Sequence, residues 1–86
     1  MALNVTLVSA EAEVWTGEAS LVVAKTTEGE IGFMPGHEPV LSILSHGQVR
    51  ITRVDGTKVV ADARDGFVSM EGDELTIVAG NAQLID

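Results

Sequence analysis

Apolar and polar residues alternate with period two along much of the chain. Leu3-Asn4-Val5-Thr6-Leu7-Val8-Ser9 predicts a half-buried strand with Leu3, Val5 and Leu7 inward. Ser9 to Glu13 is polar enough for a connection, with room for a single uncapped helical turn. Val14-Trp15-Thr16-Gly17 opens a second strand, and Gly17 suggests a bulge or a close backbone approach. Leu21 to Ala24 is continuously apolar, as in a strand covered on both faces. Val40 to Leu44 is a short apolar run that ends at the turn cluster Ser45-His46-Gly47, which favours a strand over a helix. Gln48 to Val54 and Lys58 to Ala63 read as a hairpin. Asp55-Gly56 between them predicts a type I′ turn with both residues at φ > 0, and Val59, Ala61 and Ala63 share one face. Arg64-Asp65-Gly66 predicts another turn, Phe67 to Met70 a strand, Glu71 to Glu74 a turn, and Leu75 to Ala79 a strand with Leu75 and Ile77 inward. Gly80-Asn81 predicts a break before a last short strand, Ala82 to Ile85. No segment sustains a 3.6-residue period. The expectation is all-β: a flattened antiparallel β-sandwich or barrel of about ten short strands, forming a single domain over residues 1–86.

The segment Glu28 to Leu44, EGEIGFMPGHEPVLSIL, breaks the alternation. Proline at 35 pre-sets the φ of the second turn position, and glycine at 36 accepts φ > 0 at the third. Pro39 biases Glu38 toward an extended conformation. Apolar residues flank the turns: Ile31, Phe33 and Met34 before, Val40, Leu41, Ile43 and Leu44 after. A bent, stiff loop pinned at both ends is the first place to look for a site.

Composition narrows the function. A chain of 86 residues without cysteine has neither disulfides nor thiolate metal sites to supplement a modest core. The formal net charge of −8, with five basic residues scattered along the chain, argues against nucleic acid and against adhesion to anionic lipid. It suits docking on a basic protein surface. No apolar run approaches the length of a membrane span. The opening MALNVTLVSA lacks a basic n-region, so no signal peptide is expected and the cytosol is the default compartment.

Catalytic chemistry finds little material. His37-Glu38 is the one adjacent histidine–carboxylate pair, but neighbours in an extended chain point apart, and there is no nucleophile motif. His37, Glu38 and His46 are a thin metal-ligand set without HxH or HExxH spacing. Gly29, Gly32 and Gly36 lack the lysine and helix of a phosphate loop, and Asp62 to Gly66 lacks the ligand spacing of a calcium loop. Neither a cofactor nor a metal is expected. Glu28 and Glu30, on either side of Gly29, serve solubility and turn chemistry, or else form an acidic docking contact. Trp15 is expected in the core; Met34 suits either the core or an exposed contact. The residues alone describe a small acidic all-β domain that binds rather than catalyses.

GEIGFMPGHEPVLSIL, followed by Gly47-Gln48-Val49-Arg50-Ile51, resembles the epsilon subunit of F-type ATP synthases. Val8-Ser9-Ala10-Glu11 and Val14-Trp15-Thr16-Gly17 match that family's opening, and the run from Asp65-Gly66-Phe67-Val68 to Leu75-Thr76-Ile77-Val78-Ala79 matches further on. Glu38 stands where alanine is common. The resemblance implies a ten-stranded flattened sandwich. It also implies a non-catalytic part of the rotating central stalk, which packs on the gamma subunit and rests on the polar loops of the membrane c-ring at the cytoplasmic face, without inserting into lipid. Carried over by motif, Glu30 would face the c-ring, with Glu28 as a weaker companion, and Ser9, His37 and Ser42 would lie toward gamma. Family members commonly continue into a C-terminal helical hairpin. The sequence stops at Gln83-Leu84-Ile85-Asp86, where that hairpin would begin, so the resemblance leaves inhibition by hairpin insertion and ATP sensing open for these residues. The competing expectations are a free-standing module that binds protein or carbohydrate, for which one tryptophan and no tyrosine are poor equipment, and a small acid–base enzyme resting on His37 and Glu38.

Overall fold

A computed structural model describes residues 2–36 and 38–85. The described residues form seven strands and no helix: β1 (Leu3–Ser9), β2 (Glu13–Thr26), β3 (Gly29–Phe33), β4 (Val40–Leu44), β5 (Gly47–Arg53), β6 (Lys58–Glu71) and β7 (Glu74–Leu84). Pairing closes a circuit from β1 through β2, β5, β6 and β7 back to β1, where the β1–β7 ladder is parallel. β3 pairs with β2 alone, and β4 pairs with β6 and touches β2 at one position, Thr26 with Leu44.

The count of seven replaces the expected ten for a physical reason. Three strands bend and change partners midway instead of stopping. β2 pairs with β1 up to Ala19 and with β5 and β3 beyond it, and the register shifts across Ser20, whose hydroxyl donates to the Thr52 carbonyl at 3.3 Å. β6 pairs with β5 over Lys58–Ala63 and with β4 over Gly66–Met70. β7 follows β6 through the same corner, and the register is the same on both sides of Asp65 and Gly80. Each long strand therefore serves both layers. One layer is β3, the second half of β2, β5, the first half of β6 and the end of β7. The other is β4, the second half of β6, the first half of β7, β1 and the first half of β2.

The turn signals at Arg64-Asp65-Gly66 and Gly80-Asn81 are corners inside strands. Asp65 takes φ 62, and a Cβ on Gly66 would lie 1.7 Å from the Val78 carbonyl oxygen, so two backbones cross where no side chain fits. Gly17 sits in regular pairing with Val5; its missing side chain makes room for the Trp15 ring, 2.8 Å from where a Cβ would stand. Asp55-Gly56 does turn the chain, but not as type I′. Gly56 takes φ 91 while Asp55 keeps a negative φ, and the Gly56 N–H donates to the Arg53 carbonyl at 2.9 Å. The result is a three-residue loop closed by a left-handed glycine. Ser9 to Glu13 is a bend with no helical turn.

The core is aliphatic. Leu3, Val5, Leu7, Val59, Ala61, Ala63, Leu75 and Ile77 are buried, as the alternation predicts, and Phe33 joins them. Trp15 is half-buried and packs on the margin of this core. Among the described residues Thr26 and Ser42 are the buried polar ones, and both are hydrogen-bonded.

Candidate docking surface

The run Val40 to Leu44 has no polar–apolar alternation to fix its face, and the ladder to β6 decides it. Ser42 and Leu44 point inward, so Leu41 and Ile43 point out, at 74% and 64% exposure. Ile43 pairs with Phe67, itself 42% exposed, and Leu41, Ser42, Ile43 and Phe67 line a shallow open hollow of ≈ 450 Å³. Phe67 pairs in turn with Val78, and Val78 with Val8. An apolar row, Ile43–Phe67–Val78–Val8, thus crosses four strands on the outer face of one layer. A row of hydroxyls runs beside it through Ser69, Thr76, Thr6 and Thr16, and beyond that lie Glu71, Glu74, Asn4 and Glu18. Leu41 extends the apolar zone at the sheet edge.

The β2–β3 hairpin tip stands next to this edge. Buried Thr26 braces it: its hydroxyl donates to the Gly29 carbonyl at 2.8 Å and accepts the Glu28 N–H at 3.1 Å. Backbone bonds tie the tip to the end of β4, from the Thr27 N–H to the Ile43 carbonyl at 3.0 Å and from the Ser45 N–H to the Lys25 carbonyl at 2.8 Å. The hydroxyl of Ser42 donates to the Glu28 carboxylate at 3.2 Å. Glu30 pairs with Arg50 of β5 at 2.8 Å, both side chains about half exposed.

The expected site residues therefore fall into distinct places. Glu28 and Glu30 share one tip, and Ser42 is joined to them through Glu28. Ser42 is only 7% exposed, so its apolar neighbours Leu41 and Ile43, and not its own hydroxyl, present the strand to the outside. Ser9 is at the far end of the apolar row, beside Val8, and its hydroxyl closes a local turn by donating to the Ala12 carbonyl and accepting the Ala12 N–H, both at 3.2 Å. His37 lies outside the described residues. Met34, with its side chain 59% exposed, sits in the loop rather than the core. Phe67 and Arg50 lie within stretches that match the family, but nothing in those stretches singled them out as site residues; register brings Phe67 beside Ile43, and Arg50 reaches Glu30 from β5.

A polar groove of ≈ 320 Å³ lies on the other layer, lined by His46, Asp62, Ala63, Arg64, Asn81 and Gln83. Among the described residues no three acidic or histidine side chains converge as a metal site would require. Asp55 is held below the ordinary carboxylate range. Hydrogen bonds from the Thr57 hydroxyl at 2.6 Å and the Thr57 N–H at 2.9 Å stabilise its charged form and lower its pKa. It caps a loop remote from the docking face. No helix among the described residues is long and apolar enough to cross a membrane.

Comparison with known proteins gives one consistent likeness. Residues 2–85 match the family model described as ATP synthase, Delta/Epsilon chain, beta-sandwich domain. The chain is 51% identical over 84 residues to an ATP synthase epsilon chain of Streptomyces coelicolor, spanning 98% of itself and 68% of that protein. It is 46% identical to one of Micrococcus luteus, spanning 98% of itself and 92% of the relative. Among solved structures, a chain in the Euglena gracilis mitochondrial ATP synthase (OSCP/F1/c-ring) superimposes with a TM-score of 0.89 at 23% identity; the match covers 99% of this chain and 56% of that one. A chain of the Tetrahymena thermophila mitochondrial ATP synthase central stalk and c-ring superimposes with a TM-score of 0.77 at 19% identity, covering 95% of this chain and 66% of that one. At these identities the two superpositions establish the fold.

Proposed function

The chain belongs to the ATP synthase delta/epsilon family, and from that premise we propose that it is a non-catalytic stalk subunit that holds to the gamma subunit through its apolar sheet face and meets the c-ring with its acidic hairpin tip. The observation that carries this reading is the hydrogen bond between Ser42 and Glu28. It joins the strand that displays Leu41 and Ile43 to the tip that displays Glu30, so a push on the tip is transmitted to the docking face through stiff sheet and not through a loose loop. Passing rotation from ring to shaft asks for such a link.

Magnitudes divide the labour. An exposed ion pair at the tip contributes about 0–1 kcal/mol and is screened by salt. Full burial of an apolar side chain such as Leu41 or Ile43 contributes roughly 1.5–3 kcal/mol. Affinity therefore resides in the apolar row and its edge, and the tip supplies register with the ring. In this arrangement Ser9 borders the gamma contact, and the domain is peripheral to the membrane, at its cytoplasmic face, without lipid insertion.

Replacing Ile43 or Leu41 by aspartate tests the assignment. Both side chains already face solvent, so the domain stays folded while co-purification with gamma falls by about ten-fold or more, the equivalent of roughly 1.4 kcal/mol. Undiminished binding by both variants would remove gamma from this face.

A further inference from the structure

Glu30 is the tip carboxylate offered to the ring, yet it is already engaged within the chain. Lys25 is its cross-strand neighbour on β2, but the aliphatic stem of Lys25 lies over Gly47, close enough that a Cβ there would stand 2.9 Å from the Lys25 Cδ. The salt-bridge partner of Glu30 is Arg50, which reaches from β5 across β2 to bring Nη2 within 2.8 Å of Oε2. Val23 lies between Arg50 and Gly32 in the ladder, and Gly32 carries no side chain, so the path of the guanidinium toward β3 is open. The pair is exposed, 49% for Arg50 and 57% for Glu30, so an incoming cation can reach the carboxylate that Arg50 holds.

We propose that Arg50 is an intramolecular competitor for Glu30: it holds the carboxylate at the tip and must share or surrender it when a basic loop of the ring docks. This rests on the reading of the tip as the ring contact. Arg50 is a positioning residue, and it acts on binding only through Glu30. By offsetting one of the two carboxylates of the tip, it keeps that contact weak and exchangeable. Such weakness suits a subunit whose affinity lies elsewhere, on the apolar face.

The test is a double-substitution cycle on the complex of this chain with gamma, measuring its binding to c-ring reconstituted in neutral lipid at low and at high salt. Arg50→Gln is expected to tighten binding by about two- to five-fold at low salt, with the gain fading at high salt. Glu30→Gln is expected to weaken binding, and the double variant to bind as Glu30→Gln alone. Weaker or unchanged binding by Arg50→Gln overturns the proposal. So does an equal gain in the Glu30→Gln background, which would reduce the effect to net charge. If Glu30→Gln binds like the unaltered chain, the tip is not the ring contact and this inference falls with that reading. If Glu30→Gln binds more weakly but Arg50→Gln has no effect, the tip contact stands and only the competition is refuted.

Discussion

Gly66 and Val78 meet where β6 turns from one layer to the other, and of the glycines this one has the least room for a side chain. A Cβ at 66 would stand 1.7 Å from a backbone oxygen, and backbone in a paired strand cannot step aside as a side chain can. Gly66→Ala is therefore expected to cost at least about 3 kcal/mol, read by urea unfolding followed through Trp15 fluorescence. Gly17 is the milder case, because its obstacle is the edge of the Trp15 ring, which can tilt. At Asp55 the effect is electrostatic. The Thr57 hydroxyl and N–H hold its pKa below the ordinary 3.8. A depressed carboxylate contributes stability that is complete above its unfolded-state pKa and is lost as the pH falls through the lower native value. Asp55→Asn should consequently lose stability relative to the unaltered chain at neutral pH, and the gap should close on acidification from about pH 5 to about pH 2. The carboxylate is fully exposed, so the difference is small, and denaturant titrations in parallel at each pH are the measurement that resolves it.

At the scale of the element, β6 shows how one strand serves two layers. Its partners change from β5 to β4 without slippage of register, because the corner is confined to Asp65 and Gly66. Asp65 holds φ 62, a conformation that aspartate tolerates and a β-branched residue does not. Asp65→Val should destabilise the domain by about 1–2 kcal/mol, whereas Asp65→Asn should be close to neutral; thermal unfolding of both variants separates a backbone cause from a lost charge. β4 makes the complementary point. Its five residues include four apolar ones, of which Leu44 alone is buried, while Leu41 and Ile43 are turned out and the polar Ser42 is turned in. An edge strand that exposes a leucine and an isoleucine while it buries a serine is poor design for a free monomer and good design for a docked one.

At the scale of the whole molecule, the two layers are built from shared strands. Three of its seven strands run through both layers, so neither layer can open without breaking the other's ladders. Unfolding should follow one two-state transition, with far-ultraviolet ellipticity and Trp15 fluorescence giving the same midpoint; separated midpoints would mean that the layers unfold independently. The net charge of −8 opposes self-association through the exposed apolar row and leaves the chain complementary to basic surfaces.

Period-two alternation was enough to establish an all-β fold and the inward faces of β1, β6 and β7, because alternation is a local property that each strand carries in its own residues; the stretch read as one bent loop, Glu28 to Leu44, instead contains strand β3 over Gly29–Phe33, which its pairing with β2 makes. The turn expected at Asp65-Gly66 and the break expected at Gly80-Asn81 do not end a strand: β6 and β7 run on through them. Whether a glycine ends a strand or lets it bend depends on what backbone crosses it, and that partner lies elsewhere in the chain. The same reason hid the surface. A run such as Val-Leu-Ser-Ile-Leu fits the sheet with either face inward, and only its pairing with β6 turned Leu41 and Ile43 out beside Phe67 and brought Ser42 onto Glu28. The pairing of Glu30 with Arg50 spans two strand-to-strand spacings and twenty residues of sequence, a distance over which no local pattern carries information.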